Sequence, residues 1–328
     1  MRHERLMKIL KFMKQIPGGL FIVPMFAAAT VHTLFPGILQ IGGPSQALFS
    51  NSSTMVLVGL MLFFAGLQMK CSQAASMLKG CGAICVLKLA ITFGVCFIVQ
   101  HLTGMKGIGG VSLLALTAAL SNANPALYAE TMSVRGNAVD MSGIGILSII
   151  TVPAIPVLML TFAEGYGIDY RSVVSVMLPF LLGALLGNLD KELSAFFSAG
   201  TTLMIPFMGL AFGSTINLIT ALQAGLGGVF IVIFYYIFGW LPLFIIERRM
   251  MKRGGYISTS MSALGGLCLA VPVLAIQVQP AFEIYRETAT AQLACAIVIT
   301  GILTPILINW LERKTGYGDE RKSVYETE

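Results

Sequence analysis

Apolar runs alternate along the chain with short clusters of charge, Gly and Pro. The runs are long: "FIVPMFAAATVHTLF", "MVLVGLMLFFAGL" and "VFIVIFYYIFGWLPLFII" each proceed without a single Asp, Glu, Lys or Arg. Crossing the hydrocarbon of a bilayer takes about 20 such residues in a helix. Divided at charges and turn signals, the pattern predicts ten spans, near residues 17–34, 53–69, 79–101, 108–134, 139–162, 172–187, 195–216, 220–246, 258–279 and 288–311. The expected fold class is an all-α membrane protein.

Two of these runs are interrupted. In the fourth, "SNANPALYAE" (Ser121–Glu130) puts Ser, two Asn and a Pro at the middle of a span. Pro cannot donate a helical hydrogen bond and clashes with the turn before it, yet it suits the first position of a helix, and Asn suits the cap just before. Asn124-Pro125 therefore predicts a helix that begins at membrane depth. The N–H groups of Ala126, Leu127 and Tyr128, with the positive end of the helix dipole, would form a site for an anion. Ser121, Asn122 and Asn124 stand beside it to bond hydroxyl or carboxylate oxygens. A kink at Pro125, with Asn side chains joining helices, is the plainer alternative. In the ninth run, "SMSALGGLCLAVPVLAIQ", no cap residue precedes Pro272, but Gly265 and Gly266 loosen the helix and Ser260 and Ser262 supply hydroxyls. A second break is expected at Pro272.

Charge then orients the spans. Charged residues make up 11% of the chain, against about 25% in soluble domains. With the N-terminus inside, seventeen of the 21 Lys and Arg fall in inside segments, and only Lys106, Arg171 and Arg286 lie outside. Lys and Arg resist translocation, so both termini are expected in the cytoplasm, with the protein in the cell inner (cytoplasmic) membrane. Topology also explains the net charge of +6, and no nucleic-acid partner is implied. The start, residues 1–16, is basic and amphipathic and suits the cytoplasmic face of the lipid bilayer; residues 313–328 form a cytoplasmic tail.

One basic residue remains within a span. Lys88, in "CVLKLAITF", costs ~3 kcal/mol to insert at such depth. It is expected to neutralise a substrate carboxylate or pair with a carboxylate of the protein, with snorkelling or a structural ion pair as the alternative. Acidic groups near the spans are few, and Glu130 and Asp140 are the carboxylate candidates for ion coupling.

The two halves echo one another. "VPMFAAATVHTL" from Val23 aligns with "LPFLLGALLGNL" from Leu178 on Pro24 and Pro179; "FFAGLQM" around Gly66 aligns with "LAFGSTINL" around Gly213; "NPALYAE" aligns with "VPVLAIQ" on Pro125 and Pro272. Gly66 to Pro125 and Gly213 to Pro272 are both 59 residues. Five spans per half make the second half enter the membrane inverted, an arrangement of secondary transporters. The halves would run over 17–165 and 166–312, with Gln277 standing where Glu130 stands in the first.

Several segments resemble one family. "IPGGLFIVP" (Ile16–Pro24), "HTLFPG" (His32–Gly37), "LPFLLGALLGNLDKELSAFFSAGTTLMIPF" (Leu178–Phe207), "AFGSTINL" (Ala211–Leu218) and "TPIL" (Thr304–Leu307) are similar, in order and spacing, to the bacterial 2-keto-3-deoxygluconate permeases. The resemblance implies a proton-coupled importer of a small sugar-acid anion, related to bile-acid/sodium symporter-like transporters. Its implied fold has ten transmembrane helices in two inverted five-helix repeats, with discontinuous helices four and nine crossing in a core and spans one, two, six and seven forming a second unit. Lys88 and Asn124 match the family pattern. The chain departs from it at Ser121, near Ile150, at Asn217 and at Gln277, where acidic residues are expected, and Glu130 is an acid in place of a small polar residue. Glu130, Asp140, Asn217 and Gln277 are thus the ion-coupling candidates, and H+ and Na+ both remain open as the coupling ion.

The expectation is a secondary active transporter of a small anion, with no cofactor and no metal site. A different organic anion, or a passive carrier or channel, is the alternative; assembly into a homo-oligomer is left open. An intramembrane hydrolase would need an Asp pair, a Ser–base pair or an H-E-x-x-H site; the spans hold no such Asp pair and no H-E-x-x-H, and only His32 and His101 lie near the membrane.

Overall fold

The computed structural model describes residues 9–15, 19–39, 41–69, 81–136, 138–163, 170–214 and 218–315. Among them no strand occurs, and the single β-bridge joins Ile108 to Val111. The first part of the chain holds α1 (Ile9–Gln15), α2 (Gly19–Leu34), α3 (Gly43–Leu48), α4 (Asn51–Leu67), α5 (Ala83–Thr103), α6 (Leu113–Ser121), α7 (Pro125–Arg135), α8 (Ala138–Ile150) and α9 (Ala154–Ala163). Then follow α10 (Tyr170–Leu189), α11 (Lys191–Phe196), α12 (Gly200–Gly213), α13 (Leu218–Phe234), α14 (Leu241–Arg249), α15 (Tyr256–Ser260), α16 (Ala270–Val278) and α17 (Glu283–Thr315). A π-helical turn, Tyr235–Trp240, joins α13 to α14.

Three described stretches are long and apolar enough to cross a membrane unbroken: Ala83–Lys106, Gly225–Arg249 and Pro280–Lys314. Shorter apolar helices include Gly19–Leu34, Ser53–Leu67 and Gly200–Gly213. The fifth predicted span, 139–162, is not one rod, because α8 stops at Ile150 and α9 starts at Ala154. Pro153 lies in the gap, and the residue before a Pro is steered away from helical geometry.

Packing puts the interrupted fourth helix at the centre. Every residue of α6 is buried, with α5, α9, α16 and α17 around it. Its start is fixed by Ser112, whose Oγ accepts the Ala115 N–H at 3.3 Å. Just before it, Gly107, Gly109 and Gly110 all have positive φ, the left-handed geometry that glycine adopts without strain. Elsewhere helices meet in pairs, α2 on α12, α4 on α10 and α13 on α17. Two of these pairs touch backbone to backbone. A Cβ added to Gly66 of α4 would run into the carbonyl oxygen of Phe180, and one added to Gly213 of α12 would meet the carbonyl oxygen of Met25. Small residues permit such approach where packing, rather than exclusion of water, holds helices together.

Candidate functional site

The fourth helix is interrupted where its sequence predicts. α6 ends at Ser121, Asn122–Asn124 leave the helical path, and α7 begins at Pro125. Asn124 caps the new helix, its Oδ1 accepting the Leu127 N–H at 3.3 Å, while its carbonyl oxygen accepts the Tyr128 N–H at 3.1 Å. This corrects one expectation. Of the three N–H groups read as open, those of Leu127 and Tyr128 are engaged within the chain, because a well-placed cap satisfies the helix end it starts. The Tyr128 side chain is buried and donates its hydroxyl to the Asp140 carbonyl at 2.8 Å. Ser121 is also buried, its hydroxyl donating to the Thr117 carbonyl at 2.8 Å.

The second interruption lies upstream of Pro272. α15 ends at Ser260, residues 264–265 are non-helical, Gly266–Leu269 form a 3-10 turn, and α16 starts at Ala270. Pro272 therefore sits in the first turn of α16 and does not begin it. Pro is tolerated there because first-turn N–H groups have no helical acceptor. The N–H donors that this break frees find side chains elsewhere in the chain. Leu264 N–H donates to Thr300 Oγ1 at 3.1 Å, and Gly265 N–H donates to Asn122 Oδ1 at 2.7 Å. The second bond joins the two interruptions directly. An added Cβ on Gly265 would lie 2.8 Å from the Ala123 carbonyl oxygen and 3.3 Å from Asn122 Oδ1, so the segments cross in contact. Ser260 donates to the Ile257 carbonyl at 2.8 Å, and Ser262 donates to the Thr259 carbonyl at 2.7 Å while lying 2.9 Å from Thr304 Oγ1.

Lys88 is 2% exposed. Its Nζ donates to the Tyr235 hydroxyl at 3.1 Å and lies 4.8 Å from the centre of that ring. Tyr235 in turn donates to the Met261 carbonyl, at 2.9 Å, so Lys88 is tied through one hydroxyl to the start of the second break. Tyr235 belongs to the π-helical turn, whose other rings engage the same neighbourhood. Tyr236 Oη lies 3.1 Å from Thr304 Oγ1, and Trp240 Nε1 donates to Thr259 Oγ1 at 3.3 Å. Sequence reasoning missed all three rings. Their only signal was aromatic content within an apolar run, which burial alone explains.

The coupling candidates do not gather around Lys88. Glu130 and Gln277 are exposed, and Asp140 lies 3.8 Å from Arg253. Asn217 lies outside the described residues. Arg135 at the end of α7 pairs with Glu312 of α17 at 2.8 Å. Glu247 is buried and accepts the N–H groups of Ile257 and Ser258, at 3.2 and 2.7 Å, which caps α15. No cluster of three or more His, Cys, Asp or Glu among the described residues is arranged to hold a metal. A cavity of about 350 Å³ lies between α2, α13 and α17. Ile22, Phe26, Leu218, Ala294 and Val298 are among its apolar lining, and neither break reaches it.

Apolar and all-helical in its described residues, with two buried helix interruptions in contact, the chain is a multi-pass membrane protein. The sequence family agrees. The model of the 2-keto-3-deoxygluconate permeases matches residues 10–317, and the chain belongs to that family. It is 34% identical over 310 residues to 2-keto-3-deoxygluconate permease 1 of Salmonella typhimurium, covering 94% of this chain and 96% of that one. It is 32% identical over 316 residues to the 2-keto-3-deoxygluconate permease of Escherichia coli O157:H7, covering 94% and 95%. The family is one of permeases, and this chain is a transporter and not an enzyme.

Proposed function

We propose that the chain imports a small sugar-acid anion, 2-keto-3-deoxygluconate first, by ion-coupled symport with alternating access. The observation that carries this reading is the bond from Gly265 N–H to Asn122 Oδ1, where two interrupted helices meet. Helix ends at such a crossing carry partial charge, positive at the start of α7 and negative at the ends of α6 and α15. In this reading the start of α7, with the Ala126 N–H and the Asn122 and Asn124 amides, holds the carboxylate, and Lys88 supplies a full positive charge. Ser121, Ser260 and Ser262 have their protons on main-chain carbonyls. Their lone pairs then accept hydrogen bonds from sugar hydroxyls. The names of the relatives support the substrate.

Ten spans in two inverted halves, 17–165 and 166–312, complete the reading. It is supported by a matched pair of contacts. Gly66 faces Phe180, one residue after Pro179, and Gly213 faces Met25, one residue after Pro24, so positions aligned by sequence make the same contact in exchanged roles. H+ is the first choice of coupling ion and Na+ the rival.

Uptake of labelled 2-keto-3-deoxygluconate into proteoliposomes, with pH and Na+ gradients imposed one at a time, tests this. Accumulation above equilibrium is expected with one of the two. Equilibration with neither gradient exploited would leave a passive carrier, and no uptake at all would remove the substrate.

A further inference from the structure

We propose that Tyr235 is the stand-in for the substrate's carboxylate, holding Lys88 while the carrier is empty and giving it up when the anion arrives. The proposal rests on the reading above that Lys88 meets the anion.

A buried ammonium without a partner is costly, and an empty anion carrier faces this problem in every cycle. No described carboxylate pairs with Lys88. On the helices packed against α5, Asp140 lies beside Arg253, Glu247 caps α15, and Arg248 and Arg249 are exposed. Among the described residues, Cys85, one turn earlier on α5 itself, and Tyr235 are the titratable groups that face Lys88.

Tyr235 is built for the task. A phenol has one proton and two lone pairs. That proton goes to the Met261 carbonyl at 2.9 Å, so toward Lys88 the oxygen can only accept. The ring face, 4.8 Å from Nζ, adds the negative side of its quadrupole. Lys88 thus meets a lone pair and a π-face, both electron-rich, in place of a carboxylate. Anchoring to Met261 keeps the hydroxyl still when Lys88 leaves, and the neighbouring bonds, Tyr236 to Thr304 of α17 and Trp240 to Thr259 of α15, hold the π-helical turn in register with both helices.

The exchange has a direction. A carboxylate offers Lys88 a bond in which both partners are ionised, stronger than the ammonium's bond to an uncharged hydroxyl, so the loaded carrier does not need the hydroxyl. The empty carrier does, because its return leg would otherwise move a bare cation. Removing the phenol oxygen must therefore slow the empty return more than the loaded step, and it must favour binding by removing a competitor.

Tyr235→Phe, which keeps the ring and loses the oxygen, is compared with the unmodified protein in proteoliposomes. The expected result is tighter binding of 2-keto-3-deoxygluconate by calorimetry, net uptake down about tenfold or more, and counterflow exchange reduced far less. Weaker binding with both rates falling together would overturn the proposal and make the hydroxyl a structural fastener. Lys88→Met separates this from the reading beneath it. Undiminished binding in Lys88→Met removes Lys88 from the anion site and both readings fall together; lost binding there, with net uptake and exchange falling in step in Tyr235→Phe, removes only the stand-in. If Tyr235→Phe does not fold, a structure of the unmodified protein with the sugar acid bound decides. Nζ within about 3 Å of the carboxylate and out of reach of Tyr235 sustains the exchange, and Nζ still on Tyr235 ends it.

Discussion

The side-chain oxygen of Asn122 lies 2.7 Å from the main-chain nitrogen of Gly265, and through that bond two helix interruptions 143 residues apart hold each other. The contact is buried, with Asn122 at 3% exposure. A buried N–H deprived of its acceptor costs about 1–3 kcal/mol. Asn122→Ala is expected to destabilise the protein by that amount, read as a lowered melting temperature in detergent. An unchanged melting temperature would mean that the crossing is held by other contacts.

Asn124 has two proposed duties, capping α7 and binding anion, and they separate by substitution. Replacing a cap Asn by Ala costs ~1 kcal/mol, whereas Gly costs only a few tenths. Asn124→Gly should thus keep most of the stability that Asn124→Ala loses, yet both variants should bind the sugar acid more weakly. Recovery of uptake in Asn124→Gly would show that the cap alone matters.

For Lys88, stability and function are expected to move in opposite directions. Met has similar length and no charge, and it escapes the several kcal/mol, roughly, that taking a single charge out of water costs. Lys88→Met should therefore melt at the same or a higher temperature while uptake is lost. A sharply lowered melting temperature would assign the cation to structure.

Gly66 and Gly213 should respond alike. Either substitution to Ala forces a methyl against a carbonyl oxygen of the facing helix, and overpacking of this kind costs about 1–3 kcal/mol. Equal losses of thermal stability in Gly66→Ala and Gly213→Ala are expected from related halves; a large effect at one and none at the other would speak against them.

The Arg135–Glu312 pair is a weaker fastener. Glu312 is 36% exposed and Arg135 20%, so water screens the attraction. A double-mutant cycle should give a coupling of roughly 0.2–1 kcal/mol, shrinking in high salt.

What the sequence made legible was local. Asn124-Pro125 encodes a helix start in two residues, and the cap is where they put it. Pro272 is less informative, since a Pro fits several positions of a first turn; Gly265 and Gly266 mark the loosened stretch, and the chain's path puts the break there. The interruption between α8 and α9 falls in "TVPAIPV", whose only polar side chain is Thr151, and hydropathy reports the solvent a segment prefers rather than the path of its backbone. The open N–H groups were overcounted because Asn124 consumes part of what it exposes. Lys88 stood out by its charge, but Tyr235 and the crossing partner Gly265 depend on contacts between residues far apart in sequence.

The backbone contacts at Gly66 and Gly213 leave no clearance for sliding. On the alternating access proposed above, α4 with α10, and α2 with α12, would travel as joined pairs, and a displacement that exposes the crossing to one side and then the other would fall along a different seam. On that reading the gap between α2, α13 and α17, lined by Ile22, Phe26 and Val298, would serve as the seam. Its lining is apolar, so helices shifting past one another there would exchange one set of dispersion contacts for a similar one.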